Sequence, residues 1–161
     1  MFPTLTLLTL LFAVGLLAAV CVKRIPEGQV YTLRRLGKPA RTLTPGTHVV
    51  LPLIERIAHK ISITGYTLAI EQRVQVEGHP QPETLRGRVW WQVLDPERAD
   101  AVIDRADEMI RSGVIGALPD VASDAADHDL RARNLRLKQA LNGSLRERGV
   151  LVTRVELDLA A

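Results

Sequence analysis

Four histidines, one cysteine and a scatter of carboxylates are the side chains in this 161-residue sequence that could cut bonds or hold a metal. Their spacing argues against both. His48, His59, His79 and His128 fall in separate segments, with no paired acids or cysteine nearby, so no metal-ligand spacing is present. No Gly-x-Ser-x-Gly elbow, glycine-rich phosphate loop or His-Glu-x-x-His pattern occurs. Asp104 with Asp107 or Glu108 reads as the solvated face of a helix. A lone Cys21 makes no internal disulfide. The residues therefore point to a non-enzymatic protein, with no catalytic residue, metal, cofactor or small-molecule substrate expected.

Contact with surfaces is the chemistry that the spacing does support. Lys23, Arg24, Arg34, Arg35, Lys38 and Arg41 place six basic groups against the single acid Glu27 up to residue 41. Such a cluster suits anionic lipid headgroups at about 1 kcal/mol for each well-placed basic group, and it equally reads as a solvated flank that sets topology. Trp90 and Trp91 lie on opposite faces of one strand, so with one in the core the other is a candidate for a partner contact. Asp124, Asp127 and Asp129, followed by Arg131, Arg133, Arg136 and Lys138, suit a helix dipole and need no partner. In the whole chain, 21 Lys and Arg against 18 Asp and Glu give +3, too small and too mixed an excess for a nucleic-acid partner.

The elements that must position these groups begin with the 21 uncharged residues Phe2–Val22. At about 1.5 Å per residue, a helix of that length reaches roughly 31 Å, enough to cross a hydrocarbon core. A cleaved signal peptide and a buried core helix are the competing readings. The absence of a basic n-region favours an uncleaved anchor. Leu16-Leu17-Ala18-Ala19-Val20-Cys21 is similar to a lipoprotein box, but Val20 stands where such boxes take Gly, Ala or Ser; a core or interfacial thiol is the plainer reading of Cys21. The expected organisation is an anchor over 1–22 and one domain over 23–161. Positive-inside logic places that domain in the cytoplasm, on a single-pass membrane protein.

Within the domain, Gln29–Leu36 alternates like a strand and Gly37-Lys38-Pro39 breaks it. Thr44-Pro45-Gly46 predicts a turn, and Thr47 onward a short strand ending at Pro52. Ala58–Ile63, Thr67–Val76 and Arg86–Leu94 are further strands. Asp95-Pro96-Glu97 then starts a helix by capping, with Ala99, Val102, Ile103, Ala106, Met109, Ile110 and Val114 on one stripe and Gly113 and Gly116 loosening its end. A second helix is expected over Ser123–Arg148, with Leu130, Leu137, Leu141 and Leu145 on one face. Gly149 ends it, and Val150–Leu159 closes as a strand with Val155, Leu157 and Leu159 inward. Strands, two helices and a strand predict an α+β domain, a mainly antiparallel sheet packed by two helices.

An ordered series of motifs gives the chain a resemblance. It runs from the apolar start through Val22-Lys23-Arg24-Ile25-Pro26-Glu27-Gly28 and the Arg35-Leu36-Gly37-Lys38 turn to Leu43-Thr44-Pro45-Gly46-Thr47-His48 and the Leu51-Pro52 stop. Trp91-Gln92-Val93-Leu94-Asp95-Pro96 and Gly149–Leu157 complete it. So ordered, the chain resembles the SPFH, or band 7, family of stomatin- and prohibitin-like membrane proteins, closest to its bacterial stomatin-like branch. Two departures stand out. Gly78-His79-Pro80-Gln81-Pro82-Glu83 replaces the usual turn and valine-rich strand, and no long Glu/Ala/Arg-rich assembly helix follows the closing strand before Ala161. The resemblance implies a scaffold in a bacterial inner membrane. It would organise a membrane patch through lipids and self-association, or restrain a membrane protein such as an AAA protease or a channel. A small module binding one membrane partner, or a secreted or lipidated periplasmic protein, are the alternatives.

Overall fold

The computed structural model describes residues 2–75, 82–122 and 130–160. His79 and His128, the Asp124, Asp127 and Asp129 cluster, and most of the Gly78–Glu83 departure lie outside them. The chain divides into two compact units, Met1–Ile61 and Ser62–Ala161.

The first unit opens with helix α1, Phe2–Cys21, and passes directly into β1, Val22–Ile25. β2 (Gln29–Arg35) and β3 (Lys38–Leu43) form a hairpin, followed by β4 (Gly46–Val49) and β5 (Glu55–Ser62). β1 pairs with β4, while β2 lies between β3 and β5. Both β1–β4 and β2–β3 are antiparallel. Leu36 and Gly37 both take positive φ, 49° and 82°, giving a two-residue turn of the kind that matches strand twist. Pro39, expected as a breaker, instead lies within β3, an outer strand of its sheet, where a missing N–H need not interrupt a ladder. Ile25, Tyr31, Leu33, Leu43 and Val50 form the core of this unit, with Ile57 against them. β4 stops at Val49 rather than Pro52. The Val50 N–H is given to the Cys21 carbonyl at 2.8 Å, and Leu51–Ile54 then turns back on the Leu51 carbonyl.

The second unit is a three-stranded antiparallel sheet of β6 (Tyr66–Val74), β7 (Glu83–Val93) and β8 (Val150–Ala160), with β7 central. Asp95 caps the next helix as its side chain predicts, accepting from the Glu97 and Arg98 amides at 3.0 and 3.2 Å. That helix, α2 (Pro96–Ala99), lasts one turn instead of carrying the whole stripe. The backbone leaves helical geometry at Val102 (φ −124°, ψ −7°), first of two adjacent β-branched residues with low helix propensity. A 3₁₀ turn over Ile103–Arg105 leads into α3, Ala106–Ala122. Gly113 and Gly116 do not end α3. A Cβ at Gly113 would stand 2.8 Å from Leu141 Cδ2, so this glycine lets two helices approach. Pro119 also stays inside the helix, exposed, at the cost of one backbone hydrogen bond.

α4, Leu130–Leu145, continues as a 3₁₀ turn over Arg146–Arg148. Leu137, Leu141 and Leu145 are buried, whereas Leu130 at its first turn is exposed. Val155 and Leu157 point inward and Leu159 is half-buried. The architecture is α+β, mainly antiparallel, with the helices on the β6–β7–β8 sheet.

β8 is an edge strand, and α4 closes it with side chains. Asn142 accepts from the Val152 N–H at 2.8 Å and donates to the Val152 carbonyl at 3.0 Å. Asn134 accepts from the Leu157 N–H at 3.3 Å, and Arg133 donates to the Leu157 carbonyl at 3.3 Å. Backbone groups that would template a foreign strand are thereby occupied. Asn142→Ala leaves both Val152 groups without their partner and is expected to cost roughly 1–3 kcal/mol. A lowered melting temperature of the full chain in mild detergent checks it.

Candidate functional site

α1 is apolar on every side, its leucines and Phe12 exposed from Leu5 to Leu17. A helix that serves a soluble core hides one stripe; this one hides almost none, and the span Thr4–Cys21 is long and apolar enough to cross a membrane. Its hydroxyls are compatible with lipid, since Thr9 Oγ1 donates to the Thr6 carbonyl at 2.9 Å within the helix. At the exit, Cys21 is buried and its carbonyl accepts from the Val50 N–H. Val22 pairs at once with Val49, Lys23 with His48, Arg24 with Thr47 and Ile25 with Gly46. Helix and sheet therefore share a boundary with no linker, and the helix end is stitched to the β1–β4 ribbon.

The six basic residues differ in exposure and in partners. Lys23, Arg24, Arg35 and Lys38 are exposed. Arg34 is half-buried. Arg41 turns onto its own unit, donating to the Val49 carbonyl at 2.8 Å and to Glu55 Oε2 at 3.0 Å. Glu55, a buried carboxylate, also accepts from the Leu51 N–H at 3.4 Å. Arg41 and Glu55 thus brace the Leu51–Ile54 turn. They lie fourteen positions apart, and no local periodicity could have paired them in the sequence.

Of the two tryptophans, Trp91 is taken into the core at 3% exposure. It stacks on Tyr66 with centroids 4.3 Å apart, and its indole N–H donates to Asp107 Oδ1 at 3.0 Å. Asp107, read as part of a solvated helix face, has this additional role, which only the packing of α3 reveals. Trp91 is a packing residue, with no outward surface for a partner. Trp90 is half-buried on the opposite face, covered by the Arg154 guanidinium 5.2 Å from its ring centre. A register shift in β8 places Thr153 so that its hydroxyl donates to the Trp90 carbonyl at 3.1 Å.

His48 Nε2 donates to the Thr44 carbonyl at 2.8 Å, closing the turn before β4, and the His59 N–H donates to Thr32 Oγ1 at 3.2 Å. The first contact is local, and the second is a backbone contact that ties β5 to β2, 27 positions apart. Among the described residues no group of three His, Cys, Asp or Glu side chains stands close enough to hold a metal ion.

Comparison with known proteins gives two findings. The sequence model of the SPFH domain / Band 7 family matches residues 23–158. An uncharacterized protein of Schizosaccharomyces pombe is 27% identical over 140 residues, covering 84% of this chain. The chain spans about 40% of the length of that curated relative.

Proposed function

The chain belongs to the SPFH domain / Band 7 family, whose members are membrane-associated and generally act as non-enzymatic scaffolds or regulators, and from that premise we propose that it is a membrane-anchored scaffold working through self-association or capture of a membrane protein. The anchor is 1–22 and the family domain is 23–161. One observation carries the reading: the apolar helix passes into β1 with no linker, its last carbonyl bonded to Val50 N–H. A tether of that kind holds the β1–β4 ribbon against the headgroups instead of letting it drift on a flexible leash. Positive-inside logic favours the cytoplasmic face, since Lys23, Arg24, Arg35 and Lys38 are exposed on this side of the span, and a bacterial inner membrane is the membrane that the resemblance implies. A membrane-bound AAA protease or a channel is the class of protein such a scaffold would restrain.

The test is the mass of the intact particle extracted in mild detergent, with identification of whatever co-purifies. A large multiple of the 17.8 kDa chain is the expected result. A lone 17.8 kDa chain overturns the scaffold. Co-purification of one membrane protein at a fixed ratio replaces self-association with regulation of that partner.

A further inference from the structure

Leu36 sits where a leucine is doubly disfavoured. It is the non-glycine residue with positive φ among the described residues, and its side chain is 87% exposed. A Cβ crowds the backbone in that region, and the first position of such a turn before glycine ordinarily takes asparagine. Water gives a leucine no compensation for either cost, whereas an apolar phase does. Strain and exposure coinciding on one apolar side chain point to a ligand.

Leu36 does not stand alone. Leu53 is 93% exposed and Ile54 39% exposed, on the turn that Arg41 and Glu55 brace. The hairpin tip and this turn flank a groove of about 490 Å³, lined by Leu36, Leu53 and Ile54 together with Arg34, Arg56 and His59. No acidic side chain is among its lining residues. Arg35 and Lys38, the pair that flanks the tip of the same hairpin, add two further exposed cations. Apolar walls beside guanidinium groups match a molecule with an anionic head and a hydrocarbon tail.

We infer that this groove seats an anionic phospholipid, its phosphate against the Arg34 and Arg56 guanidiniums and its acyl chain against Leu36, Leu53 and Ile54. Guanidinium forks suit phosphate oxygens, and the braced turn keeps Leu53 presented. The inference rests on the anchored reading above, because the groove belongs to the same compact unit as α1.

Native mass spectrometry of the full chain in mild detergent, mixed with phosphatidylglycerol or phosphatidylcholine, tests it. The chain is expected to retain phosphatidylglycerol in preference to phosphatidylcholine. Arg56→Gln should lower that retention about fivefold, the change equivalent to about 1 kcal/mol for one basic group at an anionic surface. Leu36→Asn should lower it too while leaving the melting temperature unchanged or raised, since asparagine suits the turn. Equal retention of the two lipids, retention unaffected by both variants, or displacement of the lipid by inorganic phosphate would each overturn the assignment, the last by showing a general anion site. If the chain still resists extraction of membranes by alkaline wash, such a result removes the lipid groove and leaves the anchor standing. Release of the chain by that wash would overturn both.

Discussion

Trp91→Ala is expected to destabilise the protein by roughly 3–5 kcal/mol, the range for removing a large aromatic from a packed core. The side chain is 3% exposed, flanked on β7 by Val89 and Val93, which are also buried. Its loss leaves the Tyr66 ring without its stacking partner and Asp107 without the indole donor. Each kcal/mol lowers the melting temperature by about 2–4 °C in a chain of this size, so the drop should be obvious in a thermal scan of the full chain in detergent. Trp90→Ala supplies the contrast. The ring is half-buried under Arg154, and an exposed cation–π contact of this type contributes about 0.5–1 kcal/mol. Similar losses from the two variants would refute the division of labour between the tryptophans. Trp91→Phe is expected to fall between the two: it keeps a ring against Tyr66 but loses the hydrogen bond to Asp107 together with part of the indole's buried area.

Gly149→Ala is expected to cost roughly 2–4 kcal/mol, combining a strained backbone with overpacking. Gly149 has φ 76°, the left-handed conformation that ends the turn after α4. Its carbonyl accepts from the Leu94 and Asp95 amides at 2.8 and 3.2 Å, which joins the end of β7 to the start of β8. A Cβ here would collide with the Asp95 carbonyl oxygen and stand 3.0 Å from Arg98 Cβ and 3.1 Å from the Ala99 nitrogen. The capping segment that starts α2 would have to move. Gly143→Ala is the matched control: this glycine lies in α4, is exposed, and has no neighbour within 4 Å of where a Cβ would stand. There the same substitution should stabilise by about 0.5–1 kcal/mol, because alanine loses less backbone freedom in a helix. Melting temperatures that move in opposite directions are the expected outcome; a shared direction would contradict the geometry at Gly149.

Elements with strong local rules are legible in the sequence alone. A charge-free stretch long enough to cross a membrane needs only composition to recognise, and α1 spans Phe2–Cys21. Alternation in Tyr66–Val74, Glu83–Val93 and Val150–Ala160 locates three strands, because a half-buried sheet imposes period two wherever it lies. Asp95 announces a helix start, and Gly149 a stop, through chemistry confined to a few neighbouring residues. Rules of this reach cannot say how long a helix lasts. α2 ends after one turn, and α3 runs through Gly113, Gly116 and Pro119, because packing against α4 outweighs propensity.

The candidate site is legible by residue type and not by arrangement. Composition identifies the basic cluster and the tryptophan pair as groups able to meet a surface. Only tertiary structure draws Arg41 onto buried Glu55, chooses Trp91 for the core and Trp90 for the outer face, and sets Asn142 and Asn134 against the β8 edge. The Arg41–Glu55, Trp91–Asp107, Asn142–Val152 and Asn134–Leu157 pairings join residues 10 to 23 positions apart through burial or an unsatisfied backbone group. Local sequence determined the long apolar helix, the strand periods and the helix boundaries marked by capping. Which polar groups meet was decided by the fold, since a hydrogen bond depends on distance in space and a sequence records distance only along the chain.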